Sequence, residues 1–116
     1  MMLKEILNKF LIIKDVQAAV VIEENGEIIE CIKSGIAMDN NIGKVISTVM
    51  LDSRSMATSF ANAPLSMVFV EYSDNFLILG PLEDEFFLII IAKNSANIGQ
   101  ITYEMKKNHD VIVSSL

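Results

Sequence analysis

Phe86-Phe87-Leu88-Ile89-Ile90-Ile91-Ala92 is the longest uninterrupted apolar run in the chain, and it carries large side chains at odd and even positions alike. A strand sends successive side chains to opposite faces, so this one has to be covered on both sides. The run before it, Phe76 to Leu82, has the same two-sided character, and Leu65 to Tyr72 reads as a third strand. Ser73-Asp74-Asn75 and Glu83-Asp84-Glu85 separate the three and are short and polar enough for hairpin loops. An antiparallel meander with helices above and below it is the expectation.

Working outward from the meander, Val16 to Glu23 and Glu27 to Lys33 are two further β-rich runs, and Asn25-Gly26 between them supplies the positive φ angles of a tight turn. The charges of the second run suit a solvent-facing edge. Leu3, Ile6, Leu7, Phe10 and Leu11 recur at helical spacing and predict a short opening helix ending near Ile13. Asp39, Asn40 and Asn41 offer capping oxygens to a long helix that stops by Asn62, because Pro64 disfavours helical geometry at Ala63. Ser95 or Asn94 can cap a last helix containing Ile98, Ile101, Met105 and Ile112. The predicted order is αββαβββα: an α+β domain over residues 1–116, with a five-stranded antiparallel sheet and helices on both faces.

The chain has 116 residues, 52% of them hydrophobic, with 9 basic and 15 acidic side chains and a net charge of −6. Such an acidic balance does not neutralise a phosphate backbone or an anionic bilayer, so neither nucleic acid nor a membrane surface is an expected partner. The apolar content exceeds what one small core absorbs, and some of it is expected to cover another protein. No apolar run approaches the ~20 residues needed to cross a bilayer. The opening segment is interrupted by Lys4, Glu5, Asn8 and Lys9, and the single cysteine fits a reducing compartment. The reading places the protein in the cytoplasm.

Ile42, Val45, Ile46, Val49, Met56 and Phe60 share one sector of the long helix, which reads as the core stripe. A second stripe of Gly43, Ser47, Met50, Arg54, Ala57 and Ala61 has small residues at near-heptad spacing and reads as the contact with a second helix; the alternative is a boundary facing water. A third sector, with Lys44, Thr48, Leu51 and Ser55, faces outward. In the run Leu65 to Tyr72, residues Met67, Val68, Phe69 and Val70 are apolar on both faces with no lysine or internal proline. As an edge such a strand seeks pairing with a copy of itself; the alternative is an interior position.

The opening helix leading into Val16-Gln17-Ala18-Ala19-Val20-Val21-Ile22, the Asn25-Gly26 hairpin and the Tyr72-to-Pro81 strand pair together resemble the roadblock family of dynein-light-chain-like domains. The most specific part of the likeness is Ala92-Lys93-Asn94-Ser95-Ala96-Asn97-Ile98-Gly99 with Tyr103-Glu104-Met105-Lys106. The resemblance implies a domain without a catalytic centre, a sheet continued across a homodimer or a pair with a paralogue, and a role in scaffolding or regulating small Ras-like GTPases.

Other chemistry is sparse. Glu83, Asp84 and Glu85 lack the spaced ligands of a calcium loop, and Cys31 with His109 cannot complete a zinc site. No glycine lies in a phosphate-cradling loop; Gly99 reads as a close-packing position in the last helix. The expectation is no cofactor, no metal and no enzymatic activity. The rival functional reading is a profilin-like sensor that holds a small molecule between sheet and helices, for which convergent polar residues on core-facing strand positions would be the mark.

Overall fold

A computed structural model describes residues 2–83 and 85–116. The element order is α1 (Leu3–Leu11), β1 (Val16–Glu23), β2 (Ile28–Lys33), α2 (Ile42–Ala57), β3 (Val68–Glu71), β4 (Asn75–Leu82), β5 (Phe86–Lys93) and α3 (Ile98–Ser114), the order predicted. The five strands form one antiparallel sheet in the order β2-β1-β5-β4-β3. Its two-sided central strands separate two cores. Leu88, Ile90 and Ala92 of β5 face Ile6, Leu7 and Phe10 of α1 and Ile101, Met105 and Ile112 of α3. Phe87, Ile89 and Ile91 face the opposite way, toward Ile46 and Met50 of α2.

Strand β3 is an edge, paired with β4 alone, which excludes the interior position. It is shorter than predicted: Leu65, Ser66 and Met67 lead into it without joining the ladder. The motif around Asn94 serves a different purpose from helix capping. Asn94 donates through Nδ2 to the carbonyls of Tyr72 (3.2 Å) and Ser73, and its backbone N–H donates to Asp74 (3.1 Å), clamping the β3–β4 turn. The Ser95 hydroxyl donates to Asp15 Oδ2 at 2.7 Å, and the cap of α3 is Asn97, whose side chain accepts from Gln100 N at 3.0 Å.

One glycine is also reassigned. Gly99 is exposed, and a side chain there would meet only its neighbour Asn97. Close helix-to-sheet packing belongs instead to Gly80 in β4, where a Cβ would come within 3.1 Å of Met105 Cε on α3.

Candidate functional site

Helix α2 has the greatest density of candidate residues, and its rotation decides what each can do. The residues buried from solvent are Gly43, Ile46, Ser47 and Met50. Gly43, Ser47 and Met50 were expected to meet another helix; in the structure they meet this chain's own sheet and hairpin. Met50 is fully buried in the α2-side core. The Ser47 hydroxyl donates to the carbonyl of Glu24, in the β1–β2 turn. Arg54 lies with its guanidinium 4.8 Å from the centre of the Phe87 ring and donates from Nη2 to the Glu83 carbonyl at 3.3 Å. Ala57 is half-buried and Ala61 is exposed beyond the end of the helix.

The stripe read as core is covered only in part: Ile46 is buried in the α2-side core, and Ile42 and Val49 pack against it. Val45 is 60% exposed, Met56 63% and Phe60 83%, while Ile42 and Val49 are half-buried. The buried face is therefore rotated from the predicted stripe toward Gly43, Ser47 and Met50, with Ile46 common to both. The physical reason is the closeness of the approach: glycine at 43 and serine at 47 bring the helix backbone down onto the hairpin turn, which a stripe of isoleucine and valine cannot do. A sequence periodicity locates both stripes but does not say which neighbour covers which.

The third sector keeps its expected orientation. Lys44, Thr48, Leu51 and Ser55 are all exposed. Thr48 and Ser55 donate their hydroxyl hydrogens to the carbonyls of Lys44 and Leu51, both at 3.1 Å, so their outward lone pairs remain as acceptors around the Leu51 side chain. At ~100° per residue the buried, apolar and outward sectors are spaced roughly evenly around the helix.

On β3, Val68 and Val70 are half-buried toward the α2-side core, and Met67 is half-buried just before the strand, packed against the α1/α3-side core. Phe69 points to the other face and is exposed. The two sheet edges differ in character. On β2, Glu30 Oε1 accepts from the backbone N–H of Cys31 at 3.1 Å and Lys33 is exposed, so that edge is guarded by charge. Neither lysine nor proline guards β3.

The remaining candidates do not assemble. Cys31 packs against the α2-side core, whereas His109 is on α3 across the sheet, so no thiol–imidazole pair forms. Burial holds the Cys31 thiol above its ordinary pKa, with Lys33 lowering and Glu30 raising it less strongly. No metal-binding group of three ligands occurs among the described residues, and Asp84 of the acidic turn lies outside them. No helix among the described residues is long and apolar enough to cross a membrane.

The Roadblock/LC7 domain profile matches residues 2–92. The chain belongs to the Roadblock/LC7 family. Roadblock/LC7 domains are non-catalytic scaffolds, and the family is one of small-GTPase scaffolding and regulation. The sequence matches no curated protein. Among solved structures, an MglB in a tetrameric arrangement superposes with a TM-score of 0.87 at 12% identity, covering 97% of this chain and 86% of that one. Myxococcus xanthus MglB gives 0.86 at 15% identity, with 97% and 92% covered. A Roadblock/LC7 domain from Streptomyces avermitilis gives 0.85 at 17% identity, with 97% and 95% covered. At these identities the likeness is one of fold.

Proposed function

We propose that the protein is a cytoplasmic, single-domain homodimer that acts as a platform for a small Ras-like GTPase. The observation that carries this reading is the three-way division of α2. One sector is bound to its own sheet, one is apolar with Val45 and Met56 exposed beside the half-buried Val49, and one is polar around Leu51. Val45, Val49 and Met56 are then the helix surface that a second copy covers, and β3 is the edge that pairs with its counterpart about a two-fold axis. This moves the helix contact from the stripe of Gly43, Ser47 and Met50 to its apolar neighbour. Met67, Val68, Phe69 and Val70 remain the strand contribution.

Two-fold pairing sets two outward sectors on one surface, each with Lys44, Thr48, Leu51 and Ser55. A partner for it needs hydrogen-bond donors and a small apolar recess for the leucine. The family supports a GTPase as that partner. Without a nucleophile or phosphate loop of its own, the platform acts by favouring one nucleotide state of the GTPase or by positioning the GTPase's groups. Calorimetry with each small GTPase of the same cell, loaded with GDP or a GTP analogue, tests this. The expected result is binding in one nucleotide state over the other, and absence of binding in both states for every GTPase rejects it.

A further inference from the structure

Strand β3 begins at Val68, so its pairing with β4 ends at the Val68–Leu79 rung, and Gly80, Pro81 and Leu82 run on with β5 as their strand neighbour. Beside this unpaired end, α3, the end of α2 and the segment 63–67 leave a cleft of about 680 Å³. That volume lies in the range of small-molecule sites. Sequence keeps the cleft open in two ways. Gly80 adds no side chain to its floor. Tyr72 N–H donates to Asn75 O toward β3, and the alternation of the ladder from there turns the Pro81 nitrogen to the same side. With no N–H on that nitrogen, the cleft wall carries no orphan donor.

The floor is apolar, with Leu82, Leu88 and Met105 all buried. The rim is not. Arg54 borders it from α2, held by the Phe87 ring and the Glu83 carbonyl. Lys106 and His109 border it from α3. Of the carboxylates at the rim, Glu83 and Asp110, the second is engaged 3.0 Å from His109 Nδ1. Lys106 is exposed and has no ion pair among the described residues. The polar groups come from the helices and not from core-facing strand positions, which is why the strand sequences carry no mark of the cleft.

The geometry points to a binding site for an amphiphilic organic anion, with its apolar body against Leu82, Leu88 and Met105 and its acidic group at Lys106. This site is separate from the outward sector of α2, and its occupation does not depend on a GTPase.

The probe is 8-anilinonaphthalene-1-sulfonate, compared with its neutral counterpart N-phenyl-1-naphthylamine, on protein labelled with 13C at the methionine methyls. Met105 reports on the cleft and Met56 on the apolar flank of α2, away from it. The sulfonate is expected to bind saturably at one site per chain, to shift Met105 and to leave Met56 in place. The neutral compound is expected to bind about fivefold more weakly, and Lys106→Gln to remove that difference. Lys106 is exposed, so an unchanged thermal melt shows that the variant is folded. Non-saturable binding, a shift at Met56 without one at Met105, or equal affinity of the two probes overturns the proposal, the last by showing apolar adhesion only.

Discussion

Gly43, in the first turn of α2, is seated on the carbonyl of Gly26 at the tip of the β1–β2 hairpin. A Cβ on Gly43 would be driven onto that oxygen, and one on Gly26 would lie 2.7 Å from the Lys44 Cα. Gly26 also has a φ of 91°, a conformation that only glycine adopts cheaply. Two residues without side chains thus fix where α2 begins and how it is rotated, and that rotation sets which of its sectors faces outward.

Gly43→Ala is expected to cost about 1–3 kcal/mol, because the obstacle is backbone and cannot swing aside. The melting temperature should fall by about 5–15 °C. Thr48→Ala, on the exposed sector, should change it by less than about 2 °C. Paired thermal melts check both.

The apolar flank of α2 makes an oligomer prediction. Light scattering at micromolar concentration is expected to give twice the 12.9 kDa chain mass. Val45→Glu should return it to the monomer mass by placing an unpaired charge in the contact. Lys44→Glu should not. Equal behaviour of the two variants would refute the assignment of the flank.

For the strand edge, the register turns the Phe69 N–H away from β4, since the Tyr72 N–H donates toward it at 2.7 Å from Asn75 O and the pattern alternates. Phe69→Pro is therefore expected to leave the β3–β4 ladder intact while blocking addition of another strand. Sedimentation velocity should show a monomer with an unchanged circular dichroism spectrum.

Leu51→Glu tests the outward sector. It should weaken GTPase binding at least tenfold, the loss expected when a central apolar anchor is replaced by a charge, and leave the dimer mass unchanged. Calorimetry and light scattering on one preparation separate the two effects.

The Cys31 thiol gives a pH test. Burial holds its pKa above the ordinary thiol value, so the folded protein has less thiolate than the unfolded chain at the same pH and alkylation by iodoacetamide should be slower than in urea. Because the folded pKa is the higher one, the thiol's contribution to stability is intact below the unfolded pKa. It declines as pH rises through the folded value. Alkylation rates from pH 7.5 to 10, with and without denaturant, measure it.

Element order and strand faces were legible because Phe86 to Ala92 and Phe76 to Leu82 are apolar at every parity, a pattern that admits few architectures. The rotation of α2 was not legible. Ile42, Val45, Ile46, Val49, Met56 and Phe60 form the more hydrophobic stripe, and hydrophobicity alone assigns all of it to the core, whereas Val45, Met56 and Phe60 lie exposed. The decisive contact is instead between Gly43 and Gly26, 17 positions apart in sequence, and a pair of glycines carries no periodic signal. Asn94 was misread for a related reason: its side chain suits a helix cap, but it reaches across to Tyr72 and Ser73 in a turn that local sequence does not bring near. The cleft beneath α3 depends on β3 starting only at Val68, which a continuous run from Leu65 to Tyr72 conceals.

The β1–β5 pairing, from Val16↔Ala92 to Glu23↔Phe86, joins the first hairpin directly to the last strands and makes everything between them one long excursion of the chain. Helix α2 travels on that excursion. The seam closes through side chains of Ala18 to Ile22 and Phe87 to Ile91, none of which lies on the two exposed sectors of the helix. Evolution can therefore rewrite the surface that chooses a partner while the sheet that folds the domain stays the same, which lets one scaffold diversify its attachments without renegotiating its stability.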